Sequence, residues 1–424
     1  MGHPRLRMNH THLPELLAPA GDWERLRTAV AYGADAVYLG GSGLDLRAQS
    51  KGFALNEVAA ATQLATAAGA KVYYCLNILA RQRHLPQIEA ALDTLASVPL
   101  HGLIVADPGV LALARRRAPH LPLHLSTQAN TSNAASMAFW LENGVTRVNL
   151  ARELSCHELR RVRQAAPEME LESFVHGAQC MAISGRCLLS DYLNKRSANL
   201  GACTHPCRFD YRTYTVEEAA RQGEPCWEIE PHPEFSPIFA ADDLCLAPYL
   251  AWFVHQRWQS LKIEGRIKTC SYLGQVVDVY RTALNDLAQG RFRRSLYLRE
   301  LANSATRPLS SGFFLPRHRG MPLAQPASPR AAIVARIEGP IQPGAWAFSA
   351  RHRFTETEAI EILLPGLKRP ALGSFALEKP DGSRLETIHS GQRGILRSEH
   401  PDLAPDLLLR AASLCGETPG LLTP

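Results

Sequence analysis

Short runs of apolar, often β-branched residues recur along the first 270 positions, and stretches with 3.6-residue periodicity separate them. The runs predict strands at 15–18, 36–40, 71–76, 102–106, 123–127, 147–151, 170–175 and 260–264. Helices are expected over 23–32, 56–68, 85–96 and 132–142, among others. The punctuation agrees. Asp22 and Ser155 stand where a side chain can accept from the first free N–H groups of a helix, and Gly33, Gly69 and Gly144 stand where a left-handed residue ends one. Strand–helix alternation implies parallel strands, because each crossover is covered by its helix. Eight strands counted in this way predict an α/β fold of the closed (β/α)8, TIM-like kind rather than an open doubly wound sheet.

The spacing breaks once. Seven strands fit within 15–175, and the eighth arrives only near 260. The intervening segment, about 177–258, is too long for an ordinary strand-to-helix connection. An insertion after a barrel strand emerges at the C-terminal face, where barrel enzymes keep their active sites. After a last barrel helix over 272–288 comes an irregular stretch ending in RHRGMPLAQPASPR, whose Pro and Arg content reads as a linker. The expected organisation is a barrel domain over 1–320, a linker at 321–330, a small antiparallel β-domain over 331–413 and a tail at 414–424. The β-domain is expected from short alternating runs such as AAIVARIEG, AWAFSA and EAIEILLPG, and a small barrel is its expected form.

The long excursion holds Cys180, Cys187, Cys203, Cys207 and Cys226, and Cys245 falls in the helix expected to close it. The first four read C-x6-C-x15-C-x3-C. Four thiolates complete either an iron–sulfur cluster or a structural zinc site. Zinc sites more often pair their cysteines at C-x2–4-C spacing on both sides, so the wide first interval favours a cluster and leaves zinc second. Gly177, Gly185 and Gly201 supply the backbone freedom that a loop around bulky sulfur ligands needs. Cys226 is a substitute ligand should one of the four be unused. A lone intracellular cysteine is usually a small core hydrophobe, and Cys75, Cys156, Cys270 and Cys415 are read that way.

Composition narrows the setting. With 46% hydrophobic and 20% charged residues, the chain can bury a large core. It contains no run of 18 apolar residues, so no membrane span is expected, and its first residues lack the apolar stretch of a secretory signal. A cytoplasmic location follows as the expectation, where ten cysteines point to metal or core roles rather than disulfides. The net charge of +6 is uneven: residues 331–424 carry 10 basic against 11 acidic side chains, which leaves 36 against 29 before them. That excess permits an RNA partner, and ordinary surface charge explains it equally well.

Three long motifs carry a resemblance. ELLAPAGDWERLRTAVAYGADAVYLGG near the start, FVHGAQCMAISGRCLLSDYLNKR in the middle and SLKIEGRIK before the final barrel helix are similar to peptidase family U32, in the family's order and over essentially the whole chain. LHLSTQANTSN, RVNLARELS and CTHPCRF resemble the branch responsible for 5-hydroxyuridine at the wobble position, uridine 34, of bacterial tRNA. The resemblance implies hydroxylation of RNA that needs prephenate and no molecular oxygen, with a 4Fe–4S cluster on Cys180, Cys187, Cys203 and Cys207. Related branches act on 23S ribosomal RNA or in oxygen-independent ubiquinone synthesis, and some members have been described as collagenases. Some relatives replace a cysteine of the C-x3-C pair; this chain keeps both.

The residues themselves speak against proteolysis. The chain has neither H-E-x-x-H nor a G-x-S-x-G elbow, and a thiol committed to a metal cannot also be a nucleophile. A cysteine peptidase remains open on the closeness of His176 to Cys180 in sequence. An RNA hydroxylase needs a basic approach for phosphates, a pocket for an extruded base and a redox centre beside it. Prephenate, with two carboxylates, asks for Arg or Lys partners. The candidates are polar residues at strand C-termini. Arg152, Glu153, Lys262 and Glu264 are candidate catalytic residues. Arg47, Asn77, Gln128, His176, Arg186 and Arg266 are candidate binding residues, and Asp107 shares their position. For each, an ion pair that only shapes the barrel mouth is the plainer alternative. tRNA is the expected partner; neither DNA nor a membrane is.

Overall fold

The structure, a computed structural model, describes residues 13–41, 43–46, 52–180, 182–208, 216–217, 225–227, 242–315, 322–327 and 331–412. The strands β1 (Glu15–Pro19), β2 (Ala36–Leu39), β3 (Lys71–Leu76), β4 (Gly102–Val105), β5 (Leu123–Leu125), β6 (Val145–Asn149) and β7 (Glu170–Ala178) each pair in parallel with the next. Beyond the excursion lie β8 (Asp243–Cys245) and β9 (Ser260–Ile263). β9 pairs in parallel with both β1 and β7, so eight parallel strands close into the expected barrel.

Local chemistry explains the helices that cover it. Asp22 accepts from the Arg25 N–H at 2.9 Å and starts α1 (Trp23–Ala31). Before α6 (Cys156–Ala165), Ser155 and Glu158 cap each other reciprocally. The other barrel helices are α2 (Val58–Ala67), α3 (Leu85–Leu95), α4 (Pro108–Arg117), α5 (Ala134–Glu142) and α9 (Cys270–Ala288). The large core lies between strands and helices. Inside the barrel, Leu17, Tyr38, Tyr73, Cys75 and Ile104 form a second, small cluster. The rest of that interior is charged. Arg147 pairs with Glu15 at 2.7 Å, and Lys262 pairs with Glu172 at 2.9 Å, all four nearly or fully buried.

Three expectations change. Cys245 ends strand β8 rather than lying in a helix, because Asp243–Cys245 pairs antiparallel with the extended end of β7; the helix α8 (Leu250–His255) begins later. The stretch after α9 is not wholly irregular. Its Leu-rich segment forms α10 (Arg294–Ser304), which buries Tyr297, Leu298, Leu301 and Ala302. In the C-terminal region the runs form one antiparallel seven-stranded sheet, in the order 360–363, 408–411, 333–342, 345–350, 393–397, 376–378 and 384–385. Its pairings make an open row, and closure into a small barrel is not among them.

The sheet docks on the outer helices and not on the barrel mouth. The Tyr32 hydroxyl, at the end of α1, donates to the Leu363 carbonyl at 2.8 Å and accepts from the Leu408 N–H at 3.0 Å. Arg369 pairs with Asp278 of α9 at 2.8 Å, and Arg410 with Glu300 of α10 at 3.0 Å. No helix among the described residues is long and apolar enough to cross a membrane.

Candidate active site

The strand ends and the cysteine-bearing excursion enclose a cavity of about 400 Å³ at the barrel mouth. That is within the ordinary size of a ligand pocket, about 300–1,000 Å³. All four predicted cysteines line it. The excursion leaves β7 through Gln179 and Cys180, and folds back over the strand ends. Gly185 makes that close approach possible. It has φ 80°, and a Cβ there would stand 2.4 Å from the Gln128 carbonyl oxygen. Ser184 anchors the same loop: its N–H and hydroxyl donate to Glu153 at 2.9 and 3.3 Å, and its hydroxyl accepts from Arg152 Nε at 3.4 Å. After Cys187 comes α7 (Leu189–Asn194). Thr204, between the last two cysteines, is tied to it by a 2.8 Å bond from Asn194 and a 3.1 Å bond to Ser190. His205, at φ 57°, turns the chain so that its N–H meets Cys203 Sγ at 3.4 Å.

The four cysteines are free and at least partly accessible. Among the described residues, no three His, Cys, Asp or Glu side chains converge as ligands of a single metal ion would. Arg47 lies outside the described residues, and so does the side chain of Cys226.

Lys262, Arg266 and Arg152 present positive charge to the cavity, and Glu264 negative charge. Each of the first two is held by a carboxylate. Glu172 takes Lys262 through one oxygen and the Ser260 hydroxyl, at 3.1 Å, through the other. Asp45, fully buried, takes both terminal nitrogens of Arg266 at 2.9 and 3.0 Å. The Lys262 ammonium also sits 4.6 Å from the centre of the Tyr38 ring. Asn77 reaches the cavity and is occupied, donating to Ser126 at 3.1 Å. Cys75 lines the cavity too, but burial pushes its thiol up to about 11, so it is not a thiolate at neutral pH.

Three candidates do not stand in this cavity. His176 was expected at the mouth. A β-bulge displaces it: Lys262 pairs with Phe174 and Ile263 with His176, leaving Val175 as an extra residue. The imidazole therefore packs against Tyr272 and Tyr280 of α9, and burial pushes its pKa down to about 3. Arg186 is exposed on the outer side of the loop. Asp107 caps α4, accepting from Gly109 and Val110 at 2.8 and 3.1 Å. Sequence reasoning missed Glu172, Asp45 and Asn149. Glu172 was visible in the alternation of ELESF, since it shares the inward parity of Phe174; Asp45, in a loop, offered no such signal.

Residues 21–321 match peptidase family U32. The chain belongs to that family. Among its relatives, tRNA hydroxylation protein P1 of Bacillus subtilis (strain 168) is 39% identical over 311 residues, 72% of this chain and 71% of the relative. tRNA hydroxylation protein P of Escherichia coli (strain K12) is 34% identical over 394 residues, 83% of this chain and 86% of the relative. The 23S rRNA 5-hydroxycytidine C2501 synthase of the same organism is 33% identical over 281 residues, 66% of this chain and 41% of that protein. The U32 membership thus joins this chain to relatives whose names describe RNA hydroxylation.

Proposed function

We propose that this U32 protein hydroxylates a pyrimidine of RNA, with uridine 34 of tRNA as its leading substrate, in an iron–sulfur-dependent reaction that uses prephenate and no molecular oxygen. The observation that carries the reading is the meeting of Cys180, Cys187, Cys203 and Cys207 with Arg152, Lys262 and Arg266 around one cavity. The donor set suits a cluster. Four soft sulfurs border one space without converging on a point, and a cluster takes each thiolate on a different iron, whereas zinc gathers its ligands about one ion. When bound there, the cluster would supply redox chemistry beside the base.

The chain's own residues do the rest. Lys262 and Arg266, each locked by a buried carboxylate, meet an anionic co-substrate without having to be reordered. Prephenate fits that demand through its two carboxylates. Arg152 and Glu153 hold the cysteine loop through Ser184, which keeps the thiols over the cavity. A target base must leave its stack to enter so enclosed a space, as single-stranded loop nucleotides do at low cost. The peptidase alternative is weakened by the bulge, because His176 faces α9 and not Cys180. Of the cavity's lining residues only His205 is a histidine, and it lies between two of the candidate ligands.

The test is nucleoside mass spectrometry of total tRNA from a deletion strain carrying either the wild-type gene or a Cys187→Ala gene. The expected result is restoration of 5-hydroxyuridine-derived nucleosides by the first and not the second, with iron and sulfide present only in the wild-type protein. An unchanged nucleoside profile on deletion would sink the tRNA assignment. Gelatin cleavage by the Cys180→Ala/Cys187→Ala protein would favour a peptidase.

A further inference from the structure

Two side-chain amides on the cavity wall carry an unmet demand. Asn149, the last residue of β6, is 2% exposed, lines the cavity, and its Oδ1 has no hydrogen-bond partner among the described residues. The same is true of Gln128 Oε1, at the end of the neighbouring strand β5. The two strand ends are joined: Thr127 Oγ1 donates to the Leu150 carbonyl at 3.1 Å. A buried acceptor left without a donor is costly, about 1–3 kcal/mol by general experience. Asn149 cannot turn to its cross-strand neighbour for relief. That neighbour is Glu172, itself an acceptor, with its oxygens taken by Lys262 and Ser260.

Water can satisfy such atoms in the resting cavity, but a ligand that displaces the water must bring N–H donors of its own. A carboxylate ligand has none, and its place is at Lys262 and Arg266. The wall is therefore divided between cations and idle amides. A planar ring edge with an N–H beside a carbonyl matches an amide's acceptor and donor together. The imide edge of uracil is such an edge. We infer that Asn149, with Gln128 beside it, reads the N3–H and adjacent carbonyl of an extruded uracil base and so selects the nucleotide that the enzyme modifies. This rests on the proposed RNA-hydroxylase function and adds to it the residues that choose the base.

The experiment complements the deletion strain with wild-type, Asn149→Leu and Gln128→Leu genes, and reads the modified fraction of tRNA by mass spectrometry. Iron content and thermal midpoint are measured on each purified protein. Leucine keeps the volume and removes the hydrogen bonds. The expected result is a tenfold or greater loss of modified nucleoside with iron content and midpoint unchanged, in line with sites that reject ligands unable to pair their polar groups. Should Asn149→Leu fail to fold, Gln128→Leu, at a half-buried position, carries the test. Full modification by a folded variant overturns the inference while leaving the hydroxylase reading intact. If the wild-type gene itself restores no hydroxylated nucleoside, the hydroxylase reading falls, and this inference with it.

Discussion

His176 shows how one residue's surroundings override its place in the chain. Four positions from Cys180, it has the sequence of a cysteine's general base, yet it packs between two tyrosines of α9 with its Nδ1 3.3 Å from the Tyr280 hydroxyl. Its pKa is lowered to about 3, chiefly by burial and next by the charge of Lys268. The sign of the pH effect follows. Above the unfolded histidine pKa, about 6.5, both states are neutral and His176 adds no pH dependence. As pH falls from about 6.5 toward 3, the unfolded chain takes up a proton that the folded chain refuses, and stability is lost at up to about 1.4 kcal/mol per pH unit. A His176→Phe protein should show a flatter fall of thermal midpoint across that window. Parallel curves for the two proteins would contradict this account. At the same scale, Glu172 and Asp45 show that the cationic character of the site depends on carboxylates that touch no solvent.

At the scale of elements, the loop from Cys180 to Cys187 depends on a close backbone approach. Gly185 packs on the turn after β5 with a left-handed φ, and the nearest atom to an added Cβ is a backbone carbonyl oxygen that cannot move aside cheaply. Gly185→Ala therefore combines a clash with about 1–2 kcal/mol of conformational strain. The loop should shift off Gln128, and iron bound per purified chain should fall to half or less of the wild-type value. Equal iron content in the two proteins would remove Gly185 from the argument. The cap and C-terminal residues of the barrel helices were legible beforehand because they act within one turn of the chain. The bulge in β7 was not, since it exists only in the pairing of Phe174 and His176 with β9, some 90 residues away.

For the whole molecule, the C-terminal sheet is bound to the barrel through buried ion pairs. Asp278 accepts from Arg369 and from the Gly366 and Leu367 N–H groups, at 2.8, 2.8 and 3.3 Å. Removing the carboxylate strands a mostly buried guanidinium and two donors. Asp278→Ala should cost about 3 kcal/mol or more, seen as a lower denaturation midpoint and faster proteolysis within 331–412. Cleavage at the wild-type rate would show that the sheet is held by other contacts. This docking on α1, α9 and α10 keeps the sheet on the barrel's outer wall and leaves the cavity to the cysteine excursion.

The sequence by itself determined the parallel barrel, the length and position of the excursion, and the four cysteines. All of these are written in local periodicity, in spacing and in residue types with few other uses. Only the tertiary structure decided which polar groups face the cavity. Lys262 and Arg266 are there, His176 and Arg186 are not, and Glu172, Asp45 and Asn149 are essential neighbours that no motif announced. The physical reason is that a strand end points inward or outward according to register, and register is set by partners far away in the chain.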